Sequence, residues 1–497
     1  LKLSLLDRAV LYFNPREAAR RLYAKHLVEN FVGRSYEAAG TGRRWKGVKS
    51  PSSNAEREVA VGLTMSRNRA RELVRNNWIA GRGVDTVIAN TVGHGIEISV
   101  KSKKALSLWN DWARTRQCDF YGTQDFFGLQ QMALGTIVES GEVLLKKVRN
   151  KDSVVPLQIQ LLEGDYIDTS RNTGGTDGNQ VRNGIEFDSS GRVVAYFLFD
   201  QHPGALFPIG RGQFQSTRHT TDDVRLVFRP RRLGQVRGIT WLHNVMLKMR
   251  DLDDYDDAQL FRQKIAACFA GFLKSTDLPL NSSTDTTDPI SEKMQPGAIE
   301  VLPPGKEIVF SQPPGVGSDY DPFVRRQLMA VASGLGVTYE ALTGDYSNVN
   351  FSSGRMGWIE MYRNIEMWRW GMFIPMFCEV VWDWFVEAGV VSGQLDSARV
   401  QVPTWTAPRR EMIDPVKETQ ALKDQVRSGF VSYSESLREM GKDPKVHMEE
   451  MQKDFAELDR LGLTIESDPR FNLKGEGQTS GKSKEKGASE DSASADE

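Results

Sequence analysis

Five carboxylates fall within seven residues at Asp251, Asp253, Asp254, Asp256 and Asp257, in the run DLDDYDD. Clustered aspartates can hold divalent cations for phosphoryl chemistry, provided that they converge on one point. On a helix, at about 100° per residue, these fan around more than half of the circumference. The pairs Asp253/Asp257, Asp251/Asp254 and Asp254/Asp257 also set like charges at helical neighbour spacing, which disfavours an isolated helix. The cluster therefore reads as a solvated or intersubunit acidic face rather than a metal centre. Arg250, Arg262 and Lys264, or bases on an adjacent copy, would compensate it. A DNA-processing enzyme built on these aspartates is the alternative from a different class.

Other residue types that could do chemistry are poorly placed for it. Gly481-Lys482-Ser483 ends like a phosphate-binding loop, but Glu476 stands where that motif needs its first glycine, and no strand precedes it. The six histidines are scattered, and His94 between Gly93 and Gly95 reads as a turn residue. Glu360, Glu366, Glu379 and Asp383 ride on an aromatic helix as pair-forming surface groups. Cys118, Cys268 and Cys378 are far apart and lack metal-ligand spacing, so they read as reduced, mostly buried thiols of a cytosolic protein. The pattern calls for no catalytic residue, cofactor or metal.

One polar loop stands out, Asp345 to Gly354, whose residues are small and nearly uncharged apart from Asp345. It joins two helices, and on composition alone it is a surface connection. Around it, the periodicity predicts helices over Arg67–Val84, Lys103–Arg116, Phe126–Glu139, Gly238–Leu273, Tyr320–Ala341 and Gly354–Ala388. Gly238–Leu273 would span roughly 50 Å. Too polar around its circumference for a single-chain core, it suits packing beside copies of itself. Trp358, Tyr362, Ile365, Phe373, Met376, Phe377, Val380 and Trp384 give the last helix a core face, and Pro375 should kink it. Period-two segments predict strands at Glu142–Val148, Leu157–Leu162, Gly184–Phe187, Val193–Phe199 and Val224–Phe228. Pro403–Arg410 reads as a linker. Short capped helices follow over Asp414–Gly429, Ser432–Met440 and His447–Leu461. The tail Asn472–Glu497 has almost no apolar residues and reads as disordered. At the other end, Leu1–Val32 reads as one or two amphipathic helices. Tyr36–Asn54, with Arg43, Arg44, Lys46 and Lys49 around Trp45, reads either as a solvated linker with one anchoring aromatic or as an arm that docks on a neighbouring subunit or shell. The fold class is α+β.

Three segments carry a family resemblance. Gly334–Arg363 reads GLGVTYEALTGDYSNVNFSSGRMGWIEMYR, Arg67–Ile96 reads RNRARELVRNNWIAGRGVDTVIANTVGHGI, and Ile299–Phe310 reads IEVLPPGKEIVF. In that composition and order they resemble lambda-type portal proteins of tailed bacteriophages, over roughly Ser35 to Asp443. The resemblance implies a ring subunit, usually one of twelve. Its α/β wing would span 67–237 and return over 358–410, its long helical stem would use 238–273 and 319–342, and a small β-containing clip would fill 274–318. A C-terminal helical crown would occupy 411–470, beyond N-terminal helices and an arm in 1–66 and before a tail in 471–497.

The resemblance also makes 343–357 a tunnel loop facing double-stranded DNA. Tyr346, Asn348, Asn350, Ser352, Ser353 and Arg355 would offer contacts there without sequence preference. Partners so implied are further copies of the chain, the terminase large subunit, a head–tail connector, and a major capsid or scaffold protein. The place would be the capsid vertex of the virion, after assembly in the host cytoplasm. Another head or tail structural protein is the nearest rival. Starting at Leu1 rather than Met fits a processed or shortened N-terminus.

Composition narrows these readings. At 497 residues several domains are expected, and 39% hydrophobic with 26% charged residues is ordinary for a soluble protein. A net charge of −1 leaves no cationic surplus with which to grip DNA by neutralising phosphates. DNA should pass by rather than be held, and acidic residues in a bore would keep it from sticking. A secretory signal is not expected, because Asp7 and Arg8 interrupt the first apolar run. The longest apolar stretch, Met372–Val391, carries Glu379, Asp383 and Glu387 and does not read as a membrane span.

Overall fold

The computed structural model describes residues 52–470 apart from 154, 207–214, 268–270, 276–305, 311–319, 397–402, 410–411, 466–467 and 469, together with Tyr12, Ala19 and Gly47. Most of the expected N-terminal helices, arm and clip lie outside the described residues, as do Cys268, the Leu-Pro-Pro-Gly segment before Lys306, and the tail. The chain divides into two units, Leu1–Arg57 and Glu58–Glu497. The second holds every element from the body of the first helix onward.

Where one helix is expected over Arg67–Val84 there are two, α1 (Ala55–Asn76) and α2 (Trp78–Thr91). Asn77 divides them. Its backbone is extended, and its side chain accepts from the N–H groups of Ile79 and Ala80, capping α2. A short strand β1 (Glu97–Ser99) and the amphipathic α3 (Lys103–Ala113) follow, then α4 (Phe126–Ser140). Gly141 ends α4 at φ +96°. A side chain there would meet the Ile239 carbonyl carbon at 2.5 Å, so only glycine fits both the turn and the close approach.

Beyond Gly141 the expected strands form, although most of them bury consecutive rather than alternate residues. β2 (Glu142–Val148), β3 (Gln158–Glu163), β4 (Gln180–Arg182), β5 (Ile185–Phe187), β6 (Val193–Phe199), β7 (Ser216–Thr220) and β8 (Val224–Phe228) form two antiparallel sheets, ordered β3-β2-β8 and β4-β5-β6-β7. β4 and β7 were not among the expected strands.

The expected 36-residue helix over Gly238–Leu273 is shorter. After a 3₁₀ turn at Trp241–Asn244, α5 runs over Met246–Ala267, and Gly271–Ser275 is a strand, β9. β9 pairs antiparallel with β10 (Lys306–Phe310), Gly271 opposite Phe310. The ladder captures residues that helical period alone had assigned to the helix. The 22 residues of α5 give about 33 Å rather than 50 Å.

α6 (Tyr320–Leu335) likewise stops short of Ala341, because Gly336 takes φ +79°. A one-turn helix α7 (Tyr339–Thr343) follows, capped by the Thr338 side chain and closed by Gly344 at φ +75°. Then come α8 (Phe351–Trp368), a π-helical stretch Arg369–Cys378, and α9 (Glu379–Val391), continuous along the chain. Pro375 lies inside the π-helical stretch, whose wider turn accommodates the missing N–H.

The expected linker at Pro403–Arg410 contains a strand, β11 (Thr404–Thr406), paired with β1 and burying Trp405. The three C-terminal helices are α10 (Pro415–Arg427), α11 (Tyr433–Glu439) and α12 (Pro444–Leu461), capped by Asp414, Ser432 and Asp443.

The main core lies where α3, α4 and the aromatic helix meet. Trp109 contacts Phe126, Trp382 and Phe385 at centroid distances of 5.0, 5.2 and 5.0 Å, edge to face. Ile365, Phe373, Phe377 and Trp384 are buried, as their spacing predicts. The fold is mixed α+β. No described helix is long and apolar enough to cross a membrane.

Candidate functional site

The polar loop is shorter and stiffer than its composition suggests. Asp345 organises it. One carboxylate oxygen accepts from the Ser347 N–H at 3.0 Å and its hydroxyl at 2.6 Å, and the other accepts from Tyr339 Oη at 2.9 Å. These bonds, led by the Ser347 hydroxyl, pull the Asp345 carboxyl down to about 2. Arg325 of α6 approaches the same carboxylate at 3.7 Å and stacks over the Tyr339 ring at 5.2 Å. The Asn348 amide, in its hydrogen-bonding orientation, accepts from the Arg325 guanidinium.

The loop ends at Asn350, not Gly354. Asn350 accepts from the Ser353 N–H at 2.8 Å, and Ser353 Oγ accepts from the Asn350 N–H at 3.2 Å, a reciprocal capping box. Of the six residues expected to offer contacts, Asn350 and Ser353 are therefore engaged in starting α8. Ser352 and Arg355 stand exposed on its first turns. Tyr346, 65% exposed, and Asn348 remain on the loop proper. The outward groups are a phenol, an amide, a hydroxyl and one guanidinium. Such a set can exchange hydrogen bonds with a passing polyanion, but one cation cannot trap it.

The acidic run lies in the middle of α5. Asp251, Asp254 and Asp257 are exposed, and Asp253 and Asp256 are half-buried. Leu252 and Met249 are buried, and Tyr255 packs against Phe323 of α6 at 4.9 Å. Among the described residues, Arg250 pairs with Asp254 at 3.5 Å and Tyr320 donates to Asp256 at 2.9 Å. The five carboxylates do not gather around a point. The one described group of three potential metal ligands is elsewhere, at Glu163, Asp165 and His202. Its carboxylates are already partnered, since Arg71 meets Glu163 at 3.0 Å and Asp165 at 2.7 Å, Arg67 meets Asp165 at 3.1 Å, and Glu163 shares a hydrogen bond of 3.0 Å with His202.

Between α1, β2 and the segment entering α5 sits an ionic hub that periodicity does not reveal. Glu142, fully buried, accepts from Arg237 through two nitrogens, from Arg67 at 2.5 Å and from the Gly238 N–H at 2.7 Å. Burial alone would raise its pKa, but Arg237 and Arg67 overcome that and hold it below the ordinary carboxylate value. The hub ties α1, β2 and the segment entering α5 together.

A second anchor is Arg369, 2% exposed, which donates to the Thr91 and Asn90 carbonyls at 2.7 and 2.9 Å and so closes the C-terminal end of α2. The arginine-rich segment at Arg67 thus acts through structure. Arg67 serves the buried Glu142, Arg71 the partly exposed Glu163 and Asp165, and Asn77 the cap. Cys118 and Cys378 are buried, and burial pushes the Cys118 thiol up to about 12, which leaves it unreactive.

A family profile described as phage portal protein, lambda family, matches residues 41–369. Among curated proteins, the probable portal protein of Halomonas phage phiHAP-1 is 27% identical over 84% of this chain and 85% of its own. Portal protein B of Escherichia phage lambda is 21% identical over 88% of this chain and 92% of its own. Among solved structures, a chain from the neck of a native gene transfer agent particle, computed with C12 symmetry, is 15% identical. It aligns with a TM-score of 0.46 over 80% of this chain and 97% of that one.

Proposed function

This chain belongs to the lambda family of phage portal proteins, and from that premise we propose that it is one subunit of the virion ring through which double-stranded DNA enters and leaves the capsid. The observation that carries the proposal is the family match, which spans the loop, α5 and α6 together. In this reading α5 and α6 form the stem, and the strands of β2–β8 with the aromatic helix form the wing. β9 and β10 open and close the clip, and α10–α12 form the crown.

The ring would hold twelve copies at the unique vertex. Its clip would dock the terminase large subunit during packaging and the head–tail connector afterwards, and its outer surface would meet the major capsid or scaffold protein. No catalytic step is assigned to it.

DNA handling follows from weak contact. Loop residues 345–349 project Tyr346 and Asn348, and Ser352 and Arg355 flank them at the base. Asp345 keeps these loop residues in one shape, so twelve copies would present a uniform, sparsely charged collar. The acidic face of α5 repels phosphate where it meets the bore and pairs with bases where it meets a neighbour.

The proposal is tested by replacing 345–348 with a Gly/Ser linker of equal length, leaving Val349 in place and Asn350 to cap α8. Rings should still assemble, and DNA packaging into procapsids should fall. Normal packaging by that variant would remove the DNA-facing role of the loop.

A further inference from the structure

Residues 230–235, between β8 and the buried Arg237, form a braced turn. Gln235 Oε1 accepts from the Arg231 and Arg232 N–H groups at 2.9 and 3.3 Å, and the Gln235 N–H returns to the Arg232 carbonyl at 3.2 Å. Gln235 Nε2 donates to the Arg237 carbonyl at 2.8 Å, and Arg232 is tied to Glu58 at 2.6 Å. What this frame holds out into water is Leu233, 97% exposed. A hydrogen-bonded turn that presents a whole leucine to solvent gains nothing within its own chain. Beside it Arg231 is exposed too, and no ion pair reaches its guanidinium among the described residues.

Elsewhere on the chain lies a complementary surface. A groove of about 390 Å³ runs between α7, the polar loop and the first turns of α8. Ala341, Val349, Phe351, Trp358 and Ile413 supply apolar walls; Glu340, with no ion pair among the described residues, and Arg355 line it as well. Phe351 is 54% exposed there. At 97% exposure, Leu233 does not fill this groove in its own chain.

We propose that Leu233 of one copy seats in this groove on the next copy, with Arg231 set against Glu340. The inference rests on the ring reading above and names the residues that would join its neighbours. A knob and a groove on separate surfaces make a heterologous contact, in which every copy gives one and receives one. Such contacts close into a ring when the rotation between copies closes. The apolar seat supplies the attraction, and the opposite charges fix which way the copies meet. The groove also includes Val349 and Asn350, so a seated neighbour would brace the loop that faces the DNA.

The test uses the full chain carrying Leu233→Cys with Ala341→Cys, Val349→Cys or Phe351→Cys in turn, oxidised after assembly. Disulfides need Cβ atoms about 3.5–4.5 Å apart, so only a seated knob links. A ladder of linked multimers on denaturing gels, given by at least one pair and by no single-cysteine variant, is the expected result. Wild-type rings with no ladder from any pair overturn the knob and groove and leave the ring reading standing. Failure of the wild-type chain to form rings removes the ring reading itself, and this contact with it. Independently, Leu233→Asp should leave the thermal unfolding of the protomer unchanged and raise the concentration needed for assembly by about tenfold or more. Unchanged assembly would also overturn the proposal.

Discussion

Changing Glu142 to Gln keeps the shape of the side chain and removes its charge. In the native chain Glu142 is fully buried and faces two guanidiniums, Arg237 at 2.5 Å and Arg67 at 2.5 Å, each less than one-twentieth exposed. After the substitution Arg237 retains the Gly164 carbonyl at 3.0 Å, and Arg67 retains Asp165 at 3.1 Å. Removing one partner of a buried ion pair costs about 3–5 kcal/mol, because the other charge stays buried. Arg237 loses its only described counter-charge and Arg67 keeps one, which places the expected loss near the middle of that range, about 4 kcal/mol. Urea unfolding followed by tryptophan emission measures it, since Trp241 begins four residues after Arg237. The double variant Glu142→Leu with Arg237→Met should lose less than Glu142→Gln alone, because it removes the stranded cation as well. A loss below about 1 kcal/mol for Glu142→Gln would refute the view that this hub holds α1, β2 and the entry to α5 together.

The same hub sets the response to acid. Glu142 and Asp165 have folded pKa values below their ordinary ones, so their contribution is complete above the ordinary carboxylate value and is lost as pH falls through the depressed folded values. Stability against urea should therefore fall steeply below about pH 4, and Glu142→Gln should flatten that fall. Asn350→Ala removes a helix cap worth about 1 kcal/mol, and hydrogen exchange should quicken over Phe351–Arg355 with little change elsewhere. Asp345→Ala should make 345–349 susceptible to limited proteolysis while the unfolding midpoint barely moves. Gly141→Ala forces a side chain to 2.5 Å from backbone at φ +96° and should destabilise by more than about 1 kcal/mol, read by thermal unfolding.

Sequence patterns reveal the parts of this fold that depend on local order. Short runs of apolar, β-branched and aromatic residues between turn residues expose β2, β6 and β8, each of which buries consecutive positions, and the aromatic spacing of α8 to α9 places Ile365, Phe373 and Phe377 in the core. Legibility ends where distant partners decide. Nothing within Gly271–Ser275 separates a helix end from a strand until Lys306–Phe310 pairs with it. Thr404–Thr406 is three residues long and is a strand because Glu97–Ser99 lies beside it. β7, Ser-Thr-Arg-His-Thr, has no apolar residue to alternate.

The loop was readable in part. An Asn with Ser three residues later signals a helix start at Asn350, and Asp345 before Tyr-Ser signals a side-chain-braced turn. Glycine at 354 is a weaker boundary than either. Glu142, in contrast, finds Arg67 and Arg237 only in the folded chain, at separations of 75 and 95 residues.

Rotational symmetry is the most direct test of a ring subunit. Purified full-length protein should give closed rings with a central hole in negative-stain electron microscopy, and class averages should resolve twelve-fold symmetry. Monomers, sheets or open tubes in place of closed rings would contradict the account.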